Sequence, residues 1–546
     1  MHLQQILVLY ASATATISPQ PNVTISSGII YGSSTNLPNA AATVNKFLGI
    51  PYAAAQRFSR PSDPSPWPSP LNTTNFGPAC HQNFGLNELG PRPELLQTLF
   101  NTPPPPESEG CLSINVFAPS PSPTPRAVLV FIHGGGWQLG HGRLDLSSFA
   151  AYEDIIAVTF NYRTNGALPK LHPQSQANNP VFGFPSSPEI PLSERNLGLY
   201  DQRAALTWIQ QNIASFGGDP EKVTIWGQSA GSLAVDLHLQ THPHSPPFRA
   251  AIMSSGQMSF GPLSSPSPND ASAWAQLSAA VGCPSSNLSC MTHVPASTLI
   301  NAMPRDRITF SPQQDNITVL PNPSDRWKSD NIAQVPILTG TVAEEGRGLI
   351  NDQINLKPFL SAFFPPALVP EEVTEKIVST YRSDPKLTTD FDIAAAIYTD
   401  YLWTCPQFKL ASTASSNKIP TWRYSFNASI LHLLSEEFSW LGKFHGSEII
   451  LLFTSPSTPH TPQSSAVYEY FRGAIARFTK NPAAGPGWPA VGSDYAPVDT
   501  VVLGDVGEVP AVAVPFNTTV LDERCSLFNG FYSLLRSAPG DESLSA

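Results

Sequence analysis

Charge is scarce in this 546-residue chain: Asp, Glu, Lys and Arg together make up 13% of it, and no run of Lys or Arg occurs. The 30 basic and 41 acidic side chains leave a formal net charge of −11. A surface of that sign repels nucleic acid and anionic lipid, so neither is an expected partner. Long apolar runs are missing as well. After the N-terminus no stretch approaches the roughly 18 apolar residues that span a bilayer, and no hydrophobic anchor tail ends the chain, so no transmembrane anchor is expected. The six cysteines contain no C-x-x-C, which removes the usual support for zinc or thioredoxin-like chemistry. Neither a metal nor an organic cofactor is expected.

Proline, by contrast, is abundant at 57 residues, while 41% of the chain is hydrophobic. That combination describes a large core with many rigid connections, not disorder. The N-terminus, MHLQQILVLYASATATIS, has a short apolar stretch from Ile6 to Tyr10. An A-x-A pattern follows at Ala11-Ser12-Ala13 or Ala13-Thr14-Ala15. A signal peptide over 1–15 is the expectation, against a buried first strand, and the n-region carries no Lys or Arg. N-glycosylation sequons stand at Asn22, Asn72, Asn287, Asn316, Asn427 and Asn517. The cysteines, Cys80, Cys111, Cys283, Cys290, Cys405 and Cys525, are even in number. Behind a signal peptide an even set favours disulfides, and six cysteines allow fifteen connectivities. These features together point to secretion.

Residues 22–33 read as a small N-terminal hairpin, and a stretch rich in Pro, Ser and Asn follows to about residue 125. Ala127 to Ile132 (AVLVFI) and Ile155 to Phe160 are near-continuous apolar runs, as in parallel strands covered on both faces. Asp201 to Ile213 places Ala205, Trp208, Ile209 and Ile213 on one helical face. Further strand candidates are Val223–Trp226, Ala250–Met253, Ile337–Thr339 and Trp422–Phe426. Strands alternating with helices give an α/β class built on a mostly parallel sheet. The polar, proline-bearing segment GALPKLHPQSQANNP (166–180) has no periodicity and reads as a loop or insertion.

Val223 to Trp226 run directly into Gly227-Gln228-Ser229-Ala230-Gly231. G-x-S-x-G after a strand has the form of a nucleophile elbow, a turn so tight that its flanks accept only small side chains. The pentapeptide alone arises by chance in about one chain in five of this size, so its companions matter. One of them is His133-Gly134-Gly135-Gly136-Trp137 at the end of the AVLVFI run. Three glycines there let backbone N–H groups approach a ligand, as in the oxyanion loop that accompanies such elbows. A nucleophilic serine also needs a base, and the base needs a carboxylate. Twelve histidines and 41 acids leave that choice open. Glu344 and Glu345 follow a strand, and His445 stands beside Gly446 in KFHGSE.

Several segments together resemble the type-B carboxylesterase/lipase family, which includes cholinesterases and large secreted fungal lipases. They are GIPYA with RF (49–53, 57–58), EGCLSINV (109–116), HGGGW (133–137), NYR (161–163), the 194–220 stretch, VTIWGQSAG (223–231), TGTVAEEG and FHGSE (444–448). The resemblance implies an α/β-hydrolase fold, with a single domain over 16–546. It places the nucleophile on Ser229, the acid on Glu345 and the base on His445. The oxyanion donors fall on the N–H groups of Gly135, Gly136 and Ala230. It also implies the pairs Cys80–Cys111, Cys283–Cys290 and Cys405–Cys525, and an ion pair between Arg57 and Glu109.

The chain departs from that pattern in places. Glu109-Gly110-Cys111 replaces an acid–Cys pair, and Gln228 precedes the serine where relatives often have Glu. The Cys80–Cys111 loop holds no tryptophan, so a quaternary-ammonium site is unsupported there. Segment 166–180 interrupts what resembles a continuous NYRTN–VFGFP run. The expected function is secreted serine ester hydrolysis through an acyl-enzyme, on a small-molecule or lipid ester. A true triacylglycerol lipase is the alternative, and a non-catalytic adhesion or interaction module a more distant one.

Overall fold

The computed structural model describes residues 20–532, apart from 85–89, 121–123, 165–180, 265–270, 285–286, 307, 309, 330, 455–457 and 508. The signal-peptide expectation and the 166–180 segment therefore lie outside the described residues. Among those described, fourteen strands form. They are β1 (Asn22–Ile25), β2 (Gly28–Tyr31), β3 (Ser33–Thr35), β4 (Val44–Pro51), β5 (Leu71–Asn72), β6 (Ser113–Pro119) and β7 (Arg126–Ile132). The others are β8 (Ile156–Phe160), β9 (Gly218–Gln228), β10 (Ala250–Ser254), β11 (Ile337–Val342), β12 (Thr421–Asn427), β13 (Thr500–Gly504) and β14 (Ala513–Phe516). β1 and β2 make the expected hairpin, which β5 extends. The other eleven form one sheet in the order β14-β13-β12-β11-β10-β9-β7-β8-β6-β4-β3.

From β8 to β13 in that order, every neighbouring pair is parallel, and antiparallel strands close both ends. β7 explains why its sequence reads as an unbroken apolar run. Val128, Val130 and Ile132 enter one core cluster, while Leu129 and Phe131 enter another on the opposite face. Four helices flank the segments that matter here: α1 (Pro93–Phe100), α2 (Ser147–Glu153), α3 (Leu197–Asn212) and α4 (Ala230–Thr241). α3 and α4 fill the first face, whereas α2 and the helix Pro462–Lys480 fill the second. The helical face expected from Ala205, Trp208, Ile209 and Ile213 is buried throughout.

β4 and β6 lie inside the stretch that composition marks as irregular. Prolines bracket them, but every residue of β6 is buried and pairs between β4 and β8. Two buried ion pairs tie loops to this frame. Arg163 holds Asp201 through Nε (2.8 Å) and Nη2 (2.7 Å), and Arg423 on β12 grips both oxygens of Asp522.

Candidate active site

The turn from β9 into α4 is the tightest in the site. Ser229 sits at φ 54° and ψ −124°, a conformation that a non-glycine residue holds only when its surroundings enforce it. A Cβ at position 227 would lie 2.1 Å from Gly231 O, and one at position 231 would lie 2.0 Å from Ile132 O. Both flanking glycines are therefore sterically required. The Ser229 N–H donates to Ser254 O at 3.0 Å on neighbouring β10. Beneath it, Trp226 Nε1 donates to Ser254 Oγ (2.9 Å), which also meets the Tyr424 hydroxyl (2.7 Å). β9, β10 and β12 are thus bound together directly under the serine.

The glycine loop at the end of β7 presses against this elbow. A Cβ on Gly134 would meet Ser229 Cβ at 2.9 Å and Gln228 O at 2.6 Å. Gly135 and Gly136 follow with φ of 106° and 61°, backbone that favours glycine. Ala230, the first residue of α4, contributes one of the N–H groups that a helix N-terminus leaves free. His133 is stacked on Tyr162 with ring centroids 4.3 Å apart, and the Tyr162 hydroxyl donates to His133 O at 2.8 Å. Burial lowers the His133 pKa to about 3, so the ring is neutral at ordinary pH. Its Nδ1 lies 3.0 Å from Gly134 O, and as an N–H it fixes the first carbonyl of the loop.

Between Glu344 and Glu345 the geometry decides. Glu345, fully buried in the turn after β11, places Oε2 2.6 Å from His445 Nδ1. Its other oxygen accepts from Val342 N–H at 2.8 Å. Glu344 points elsewhere: it accepts from Lys443 N–H (2.8 Å) and pairs with Arg347 (3.0 Å). Arg347 in turn donates to Trp440 O (2.6 Å) and to Asp392 (2.6 Å). Glu344 and Arg347 therefore hold the loop that presents His445. Sequence reading missed Arg347 and Trp403, whose ring lies 4.7 Å from that of His445. The triad motifs carry no signal for either. Gln228 Nε2 lies 3.3 Å from His445 Nε2, so the elbow touches His445.

All three disulfides implied by the resemblance are present: Cys80–Cys111, Cys283–Cys290 and Cys405–Cys525. Arg57 and Glu109 form a two-pronged pair, and the guanidinium draws the Glu109 pKa down. Of the sequon asparagines, Asn22, Asn72, Asn287 and Asn316 are exposed. Asn517 and Asn427 are half-buried, and Asn427 already donates from Nδ2 to Asp505 O at 2.7 Å. No helix among the described residues is long and apolar enough to cross a membrane.

A largely parallel, helix-flanked sheet with a strand–serine–helix elbow defines an α/β-hydrolase. The sequence profile of the Carboxylesterase family matches residues 19–498, and the chain belongs to that family. Para-nitrobenzyl esterase of Bacillus subtilis (strain 168) is 31% identical, over 70% of this chain and 75% of the relative. Cholinesterase of Mus musculus is 30% identical, over 80% and 74%. Acetylcholinesterase of Bungarus fasciatus is 28% identical, over 98% and 90%. Among solved structures, a PNB esterase superposes with a TM-score of 0.70 at 26% identity, covering 93% of this chain and all of that one. The chain is a carboxylic ester hydrolase.

Proposed function

We propose that the chain is a secreted serine esterase, one hydrolase domain over 16–546 behind a signal peptide at 1–15, that works through an acyl-enzyme. Ser229 Oγ attacks the ester carbonyl carbon while its proton passes to His445 Nε2. Glu345, bonded to Nδ1, fixes the tautomer and stabilises the imidazolium. The carbonyl electron pair moves onto oxygen, which the N–H groups of Gly135, Gly136 and Ala230 receive; losing one such donor costs about 2.7–4 kcal/mol. The C–O bond to the alcohol then breaks as His445 returns the proton to the leaving oxygen. Water repeats the sequence on the acyl-enzyme and releases the acid.

One observation carries this reading: the 2.6 Å Glu345–His445 contact lies against the strained Ser229 elbow. Ser229→Ala should fold with an unchanged melting temperature and lose nearly all hydrolysis of p-nitrophenyl esters. An organophosphate should label Ser229 alone in the parent protein. Turnover retained in the folded variant would remove Ser229 from the mechanism. A triacylglycerol lipase is the second reading, favoured by the apolar helix α1 beside the base. An adhesion module finds no support in so complete a constellation.

A further inference from the structure

Gln228, the residue before the serine, touches the catalytic base. With Glu345 Oε2 at 2.6 Å, His445 Nδ1 carries its hydrogen and donates it, so a neutral ring leaves its lone pair on Nε2. Among the described residues, the side-chain group at hydrogen-bond distance from that lone pair is the Gln228 amide nitrogen, at 3.3 Å. Both side chains are buried. A Cβ on Gly134 would fall 2.7 Å from Gln228 Oε1, so the oxygen lies toward the glycine loop and the NH2 toward His445.

We propose that Gln228 is a positioning residue which, in the free enzyme, donates from its side-chain amide to His445 Nε2 and must yield that lone pair before Ser229 can use it. The inference rests on the assignment of Ser229 and His445 made above. A donor on Nε2 favours the neutral ring, because the imidazolium has its own hydrogen there and repels the amide N–H. A carboxylate at the same place would do the reverse, accepting from Nε2–H and favouring the cation. The chain thus sets a donor against its base, at the expense of one hydrogen bond to be broken in each acylation.

Other titratable groups face this cluster. Glu345 bonds His445 from the turn after β11, Glu448 on the His445 segment feels the charge of Glu345, and Glu344 is turned away onto the Lys443 N–H. Tyr398 lies near Glu345, and Tyr424 near Glu448. Phe100 and Trp403 are uncharged neighbours. All of these stay in place when only Gln228 is changed.

The test compares the parent with Gln228→Glu and Gln228→Met, using kcat/KM for p-nitrophenyl acetate and inactivation by an uncharged phosphofluoridate across pH. The acid-side midpoint should lie lowest in the parent and rise by about one pH unit or more in Gln228→Glu, with Gln228→Met between them. Three midpoints agreeing within about 0.2 of a pH unit would overturn the proposal, since charge on that side chain would then not reach the base. Should either variant fold poorly, 15N-histidine NMR of the parent gives an independent reading. His445 Nε2 should show the upfield shift of an acceptor nitrogen, and the position of a free imine nitrogen would refute the contact. Parent protein that the phosphofluoridate fails to label at Ser229 would count against the ester-hydrolase assignment itself. Labelled Ser229 with unmoved midpoints counts against Gln228 alone.

Discussion

Three residues beyond His445, Glu448 places a carboxyl in the interior with no side-chain partner for either oxygen. Burial, reinforced by the charge of Glu345, pushes its pKa well above the ordinary value, against help from the Glu448 and Ile449 N–H groups. Folding therefore takes this group up protonated, while the unfolded chain ionises it above about pH 4.3. The sign follows directly. Whatever stability the neutral acid allows is full below the unfolded value and is lost as pH rises toward the folded one. Glu448→Gln escapes that loss. Its melting temperature should match the parent near pH 4 and exceed it at pH 7–8, the gap widening as pH rises above the unfolded value. Thermal melts at pH 4, 6 and 8 check this, and a pH-independent difference would mean that Glu448 is ionised in the fold. The serine motif announces Ser229 because the elbow tolerates few other sequences. No local pattern separates Glu345 from Glu344: the two differ only in which way one short turn points them.

At the scale of elements, the helix Cys405–Ser416 begins where a π-helical turn, Asp400–Thr404, presents Trp403 to His445. Cys405 binds this junction to Cys525 across a separation of 120 residues, beside the buried Arg423–Asp522 pair. Closing so long a loop removes much freedom from the unfolded chain. The double variant Cys405→Ala/Cys525→Ala should lose about 4–5 kcal/mol on the chain-entropy account, measured by urea denaturation. A loss below roughly 1 kcal/mol would show that the pair merely decorates a frame already held by Arg423. Elements with a strong period were legible in advance. AVLVFI and the α3 face could be read because burial on two faces, or on one, imposes a pattern. β4 and β6 were hidden, since their sequences are short and prolines surround them. Their strand character comes from pairing with each other and with β8, which no local window contains.

Across the whole molecule, the site unites segments far apart in the chain: Glu345 and His445 are separated by 100 residues, Gln228 and His445 by 217. Physics read along the sequence supplied the types of group required. Only the resemblance chose among twelve histidines, and only the folded chain brought Gln228 and Trp403 to His445. The same long-range view bears on esterase against lipase. α1 lies within the Cys80–Cys111 loop, and its Leu95 is buried with Leu99 packed beside it. Phe100 covers the His445 loop, its ring carbons 3.2–3.3 Å from where a Gly446 Cβ would stand. Both ends of the helix are tethered, Arg92 to Asp352 at 3.1 Å and Asn101 to Gln82 at 3.0 Å. Swinging α1 away would break both tethers and expose Leu95, a cost of about 1.5–3 kcal/mol for that side chain alone. An oil surface would have to repay this before any gain in rate. Short and medium acyl esters should therefore be hydrolysed with ordinary saturation, triolein slowly, and the rate should pass the solubility limit of tributyrin without a jump. A several-fold rise on entering emulsion, with long-chain triglyceride the best substrate, would instead make α1 a working lid and the protein a lipase.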